Sequence, residues 1–131
     1  MNKVSIQNLV KGYSIETTVR EAERVEKFSD LIPAGTCLYI AHVPGTNLLD
    51  TVALAGRLRK EGLEPVPHIV ARRMDNLAMV EDFVARLTGD AGVRQALLEN
   101  YREVRTIPSP EGKELLPPST FTGPVSVLVT R

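Results

Sequence analysis

Three ionisable side chains recur at equal spacing along the sequence. Glu16, His42 and His68 lie 26 residues apart, each near the end of an apolar, β-favouring run that leads into a loop and a helical pattern. In parallel α/β architectures, ligands and catalytic groups gather where strands lead into βα loops. The spacing therefore predicts one shared site at one edge of a parallel sheet.

These residue types allow acid–base chemistry. Glu16 at an apolar strand end would have a raised pKa, which a general acid needs near neutral pH. A solvated carboxylate at a strand terminus is the simpler interpretation. His42 and His68 fit core or edge positions with hydrogen-bonded rings equally well. Two histidines and a carboxylate can also bind a metal, but we predict no metal site.

Two further segments could contact an anion. Arg72 and Arg73 follow the third apolar run, where they could bind a phosphate or carboxylate or simply face solvent. The Pro44-Gly45-Thr46-Asn47 turn could offer backbone N–H groups at a helix start. Because GxGxxG and P-loop motifs are absent, the sequence carries no nucleotide fingerprint.

Composition limits the class of protein. The 131 residues are 43% hydrophobic, which is enough for one packed core. Sixteen basic and sixteen acidic residues balance, so we expect neither nucleic-acid nor membrane binding. No signal peptide or spanning segment of about 18–20 apolar residues is evident. Cys37 is the single cysteine and is predicted to be a buried, inert thiol. A soluble, cytoplasmic protein is expected.

Strand and helix patterns alternate over residues 13–98. Predicted strands cover residues 13–17, 37–43, 65–71 and 93–98. Thr18 and Glu21 have capping-box spacing for the first helix, Asn47 is a candidate N-cap of the second, and Asp75 or Asn76 of the third. The predicted apolar helix faces are Ala22, Val25, Phe28 and Ile32; Leu49, Val52, Ala53 and Gly56; and Leu77, Val80, Val84 and Leu87. The alternation predicts a parallel α/β fold.

The pattern changes after Leu98. Residues 108–131 hold five of the nine prolines, and the predicted elements there are a short helix over 99–105 and a last strand over 125–129. We therefore predict a βα domain over residues 1–98 and an irregular, proline-rich tail over 99–131.

Residues 13–98 resemble the N-terminal part of the methylenetetrahydrofolate reductase family. Four stretches carry the resemblance: Ser14-Ile15-Glu16, the YIAHVPG run at 39–45, the LRKEGLEPVPHI run at 58–69 with Ala71-Arg72-Arg73, and the GVRQALL run at 92–98. The glycine, short spacer and Pro-His entry to the third strand is the most specific of them.

The resemblance implies the first three to four units of a (β/α)₈ TIM barrel that carries FAD at the carboxyl ends of its strands. It implies reduction of a methylene-folate by NAD(P)H through the flavin, in one-carbon metabolism. Glu16 matches the general acid that helps open the folate ring to an iminium. Ala41, His42 and His68 match positions beside the flavin.

Two departures accompany the resemblance. Ala41-His42 replaces a Thr-Tyr pair that is frequent in the family, and Leu98 is followed by Glu99-Asn100-Tyr101 rather than a cofactor-binding Arg-Gly-Asp segment. A full barrel needs about 250 residues, so we expect a truncated or frameshifted member that could be inactive alone. Reading the gene in its other frames after Leu98 tests that hypothesis.

An alternative interpretation is a non-catalytic α/β module. Such a module would bind a partner chain, a second copy of itself or a small anionic ligand through its strand ends. Bound flavin in the purified protein would distinguish the enzyme from this alternative.

Overall fold

The computed structural model describes residues 2–70, 73–100 and 125–130. Strands and helices alternate, as the sequence predicts for an α/β fold. In chain order the elements are α1 (Lys3–Val10), β1 (Ile15–Thr17), α2 (Val19–Ala22), a 3₁₀ turn (Phe28–Asp30), β2 (Cys37–Ile40), α3 (Leu48–Lys60), β3 (Glu64–Val70), α4 (Leu77–Gly89), β4 (Gln95–Asn100) and β5 (Val125–Thr130).

The strands form one sheet in the order β1-β2-β3-β4-β5. Strands β1 to β4 are parallel, and each pairs with its neighbour in the chain. Strand β5 confirms the predicted last strand but pairs antiparallel with β4, with Gln95 opposite Thr130 and Asn100 opposite Val125. The parallel α/β arrangement is confirmed for β1–β4.

The main core lies on the face of the sheet that α3 and α4 cover. Leu38, Ile40 and Ile69 point to this face and cluster with Leu58 of α3 and Phe83 of α4. Leu38 and Leu58 are completely buried, and a buried leucine stabilises a fold by about 1.5–3 kcal/mol. The helices therefore fix which face of each strand remains for other side chains.

The first predicted helix is much shorter than its apolar spacing indicated. The capping box is present, because Thr18 Oγ1 accepts from the Glu21 N–H at 3.1 Å and the Thr18 N–H donates to Glu21 at 3.4 Å. The helix nevertheless ends at Ala22. The Arg57 guanidinium donates to the carbonyls of Ala22, Val25 and Glu26, so these carbonyls are bound by a side chain of α3.

The two long helices have the predicted caps but differently placed faces. Asn47 accepts from the Leu49 N–H and Asn76 from the Met79 N–H, both at 2.9 Å.

The buried faces of α3 and α4 differ from those predicted. On α3, Leu49 and Ala53 are exposed, against prediction. The buried residues of α3 are Thr51, Val52, Leu54, Ala55 and Leu58. On α4, Leu77 and Val84 are exposed, whereas Phe83 and Leu87 are buried. Both helices contain so many apolar residues that the sequence pattern fits more than one helix face.

The fourth strand is displaced from its predicted position. It begins at Gln95 rather than Val93 and extends through Glu99 to Asn100, so the helix predicted from residue 99 is wrong at its start. Residues 101–105 and the prolines at 108–124 lie outside the described residues. Cys37 is half-buried rather than fully buried.

A charged cluster stabilises the amino-terminal end of β3. Glu64 Oε1 lies 2.8 Å from Arg59 Nη2, and its Oε2 lies 2.7 Å from Arg94 Nη2. Hydrogen bonds from Arg59, and then from Arg94, lower the pKa of Glu64 to about 2 against the opposing effect of burial. The cluster ties α3, β3 and the start of β4 together, at the edge opposite to the strand ends that carry the predicted site.

No helix within residues 2–70 and 73–100 is long and apolar enough to cross a bilayer.

Candidate functional site

Four polar or aromatic side chains share the sheet face opposite to the main core. Glu16 is in register with Tyr39 on the neighbouring strand. His68 is in register with Leu97, and Glu99 lies two residues farther along β4. Because side chains alternate along a strand, Glu16, Tyr39, His68 and Glu99 all point to this face, toward the carboxyl ends of the strands.

His68 is the centre of this group. Its side chain is only 9% exposed, and its Nε2 lies 3.5 Å from Oε2 of Glu16. Its Nδ1 lies 3.2 Å from Oε1 of Glu99. The Tyr39 ring meets the imidazole edge-on, with ring centroids 6.1 Å apart and planes at 77°. Contacts from β1, β2 and β4 therefore surround a side chain of β3.

The Nε2 atom of His68 is unsatisfied. It is buried and has no hydrogen-bond partner among the described residues, since its contact with Glu16 is an ion-pair approach rather than a hydrogen bond. A buried polar atom without a partner costs about 1–3 kcal/mol. A ligand group that pairs with Nε2 would recover this free energy, which makes the atom a candidate contact.

The side chain of Glu16 is largely exposed to solvent. It is 60% exposed, which agrees with the simpler interpretation of a solvated carboxylate and not with a low-dielectric strand end. The neighbouring residues Ile15 and Thr17 point to the other face, where Thr17 is buried. An exposed carboxylate beside a buried imidazole is accessible to solvent and to a substrate.

His42 lies just beyond β2, at the edge of the same group. Burial, followed by the nearby charge of Arg73, lowers the pKa of His42, while Glu99 acts in the opposite direction. The His42 imidazole therefore holds a proton less readily than a free histidine does, and it lies within electrostatic range of Glu99. The structure brings Glu16 and His68 into contact and places His42 beside them.

Ala41 contributes its backbone. Its N–H donates to the Thr17 carbonyl at 2.8 Å, which extends the β1–β2 pairing one residue past Ile40. The side chain is half-buried and has no polar atom. Ala41 can therefore offer a ligand only an apolar contact and its carbonyl group.

Sequence reasoning missed Glu99 and Tyr39 as site residues. The sequence predicts Tyr39 only as a strand residue, although it lies in register with Glu16. It predicts Glu99 in the tail, because the apolar run ends at Leu98. Alternation places Glu99 on the same face as Leu97, and the register of Leu97 with His68 comes only from the structure.

The candidate anion contacts receive little support. Arg72 lies outside the described residues, and Arg73 is exposed. In the Pro44–Asn47 turn, the Asn47 side chain already accepts from the Leu49 N–H. That helix start therefore has one fewer N–H to offer an anion.

Within the described ranges, no group of three or more His, Cys, Asp or Glu side chains is arranged to hold a metal ion. No protein-family model matches the sequence.

Proposed function

We propose that this chain is a flavin-dependent oxidoreductase module of the methylenetetrahydrofolate reductase type. In this proposal Glu16 supplies a proton and His68 lies beside the cofactor. The observation that carries it is the 3.5 Å approach of Glu16 Oε2 to His68 Nε2. These side chains come from β1 and β3, which are not adjacent because both pair with β2.

The strand order supports a (β/α)₈ TIM barrel as the parent architecture of β1–β4. Doubly wound sheets reverse their strand order at a switch point, whereas barrel strands follow one another in sequence. The order β1-β2-β3-β4 has no reversal. The helix-covered face would be the outside of the barrel, and the face with His68 the inside. Because all strands of a TIM barrel are parallel and β5 is antiparallel to β4, the proposal covers only β1–β4.

The residues fit a flavin at the carboxyl ends of these strands. The unsatisfied Nε2 of His68 offers a hydrogen-bonding position, and Ala41 and His42 provide a half-buried surface beside it. A flavin ring has both apolar area and polar edges, which this combination would match. FAD would supply two-electron transfer between NAD(P)H and a folate-type substrate.

The protein's own contribution to the chemistry would be proton transfer. Glu16 is exposed enough to meet a substrate, and its Oε2 lies 3.5 Å from Nε2 of His68. Its carboxyl group would hold a proton at Oε2 and deliver it to a substrate nitrogen. His68 would help to orient that carboxyl group.

The alternative, a module that binds a small anion or a partner chain, rests on the exposed Arg73 beside His42. The acidic side chains of Glu16 and Glu99 on either side of His68 oppose an anion at the centre of the site. We therefore favour the enzyme.

The proposal is tested on the purified 131-residue chain by measuring both half-reactions with added FAD. Glu16→Gln should abolish folate reduction while largely sparing flavin reduction by NAD(P)H. Glu81→Gln, which changes an exposed carboxylate on α4, is the matched control and should resemble the wild type. Equal loss of both half-reactions in Glu16→Gln would contradict the role of Glu16. A folded, colourless chain that reduces neither partner would favour the alternative.

A further inference from the structure

We infer that Glu99 is a positioning residue that holds the proton of the neutral His68 imidazole on Nδ1. The Nδ1 atom lies 3.2 Å from Oε1 of Glu99, whose side chain is only 14% exposed. An ionised carboxylate can accept a hydrogen bond but cannot donate one. The proton at this contact therefore belongs to the imidazole, and Nε2 carries the lone pair.

The sheet itself sets this orientation. His68 and Glu99 are held on adjacent parallel strands by the register of His68 with Leu97 and of Val70 with Glu99. The edge-on Tyr39 ring from β2 contacts the imidazole from the opposite side. Rotation of the imidazole is thus restricted by neighbours on both sides, and the tautomer is set by the carboxylate.

The assignment defines the class of ligand group that the site accepts. With the proton on Nδ1 and with Glu16 ionised, as it is before it takes up the proton that it would deliver, the Nε2 lone pair and Oε2 of Glu16 are two acceptors only 3.5 Å apart. A phosphate or carboxylate oxygen placed there would add a third acceptor. An N–H or O–H group can donate to either atom and would satisfy the buried Nε2. The centre of the site therefore selects a ligand group that donates a hydrogen bond.

This inference deepens the proposed function and rests on it only in taking His68 as a ligand contact. The tautomer of His68 is a property of the protein alone. A chain that binds no flavin would contradict the proposed function and leave the assignment of Glu99 intact.

Nitrogen NMR of the untagged 131-residue chain labelled with ¹⁵N-histidine tests the inference. The sequence contains two histidines, so two imidazole signal sets are expected, and His42→Gln assigns them. At a pH about two units above the ordinary histidine pKa, wild-type His68 should be the Nδ1–H tautomer. Glu99→Leu should shift the tautomer equilibrium of His68 toward Nε2–H, the form that predominates for histidine in water. Glu81→Gln should leave this equilibrium unchanged.

Several results would overturn the inference. One is a wild-type protein in which His68 is mainly Nε2–H or doubly protonated at this pH. Another is a folded Glu99→Leu protein in which His68 keeps the Nδ1–H form. If Glu99→Leu does not fold, the wild-type spectrum alone decides. Added inorganic phosphate should leave the Nε2 signal of His68 in place, and a saturable phosphate-induced shift would contradict the selection of a donor group.

Discussion

At the scale of single residues, the site depends on the different surroundings of two carboxylates. Glu16 is exposed and Glu99 is largely buried, yet both approach the same imidazole. Glu16 and His68 were predictable because their spacing spans two βα units. Glu99 follows His68 by 31 residues rather than 26. It is also the first charged residue after an apolar run, which is typical of the start of an irregular tail. The spacing rule therefore could not find it.

The prediction at this scale concerns the carboxylate of Glu64. Its pKa is lowered to about 2 in the folded protein, so the folded state binds fewer protons than the unfolded state below the ordinary value of 4.5. The stabilisation is complete above about pH 4.5 and is lost as the pH falls toward about 2. Glu64→Gln should cost about 1–3 kcal/mol at pH 7 and should reduce this pH dependence.

Urea denaturation at pH 7 and at pH 3 measures both effects of the Glu64 substitution. The difference in unfolding free energy between wild type and Glu64→Gln should be smaller at pH 3 than at pH 7. Glu81→Gln serves as the control at both values. If this difference is equal at the two pH values, the ion pairs of Glu64 with Arg59 and Arg94 are not the source of the lost stability.

At the scale of elements, long-range side-chain contacts override local periodicity. Residues 22–32 carry apolar spacing that is typical of one helix, but α2 ends at Ala22 and a 3₁₀ turn begins at Phe28. Arg57 lies about 30 residues away in sequence and binds the carbonyls of this segment. Its guanidinium also lies 5.2 Å from the centroid of the Phe28 ring. Periodicity within one segment contains no information about such a partner.

Arg57 should accordingly matter more for stability than an ordinary helix arginine. A lysine retains the charge but cannot reproduce the planar fork that reaches several carbonyls at once. We expect Arg57→Lys to lower the unfolding free energy by about 2–4 kcal/mol, since hydrogen bonds from charged groups contribute about 1.5–3 kcal/mol each and do not add fully. Thermal denaturation measures the change.

The control for Arg57 is Arg86→Lys. Arg86 pairs with Asp82 at 2.9 Å on the exposed surface of α4, and its replacement should leave the denaturation midpoint unchanged. If both lysine variants have the midpoint of the wild type, the contacts of Arg57 with the segment after α2 do not stabilise the fold.

At the scale of the whole molecule, the two faces of the parallel strands have different neighbours. Helices α3 and α4 cover one side of the parallel strands, and Glu16, Tyr39, His68 and Glu99 lie on the other. The alternation of strands and helices was predictable from short patterns. The antiparallel pairing of β5 with β4 was not, because an isolated apolar strand of residues 125–130 fits either direction.

Titration of the purified 131-residue chain with FAD, followed by flavin fluorescence, tests most directly whether the chain has a flavin site. We expect saturable binding near one flavin per chain. Because His68 Nε2 would contribute one hydrogen bond, His68→Ala should weaken binding about tenfold, while Glu81→Gln should not change it. A folded wild-type chain without saturable binding, or a folded His68→Ala protein with undiminished affinity, would contradict the flavin site proposed at the carboxyl ends of β1–β4.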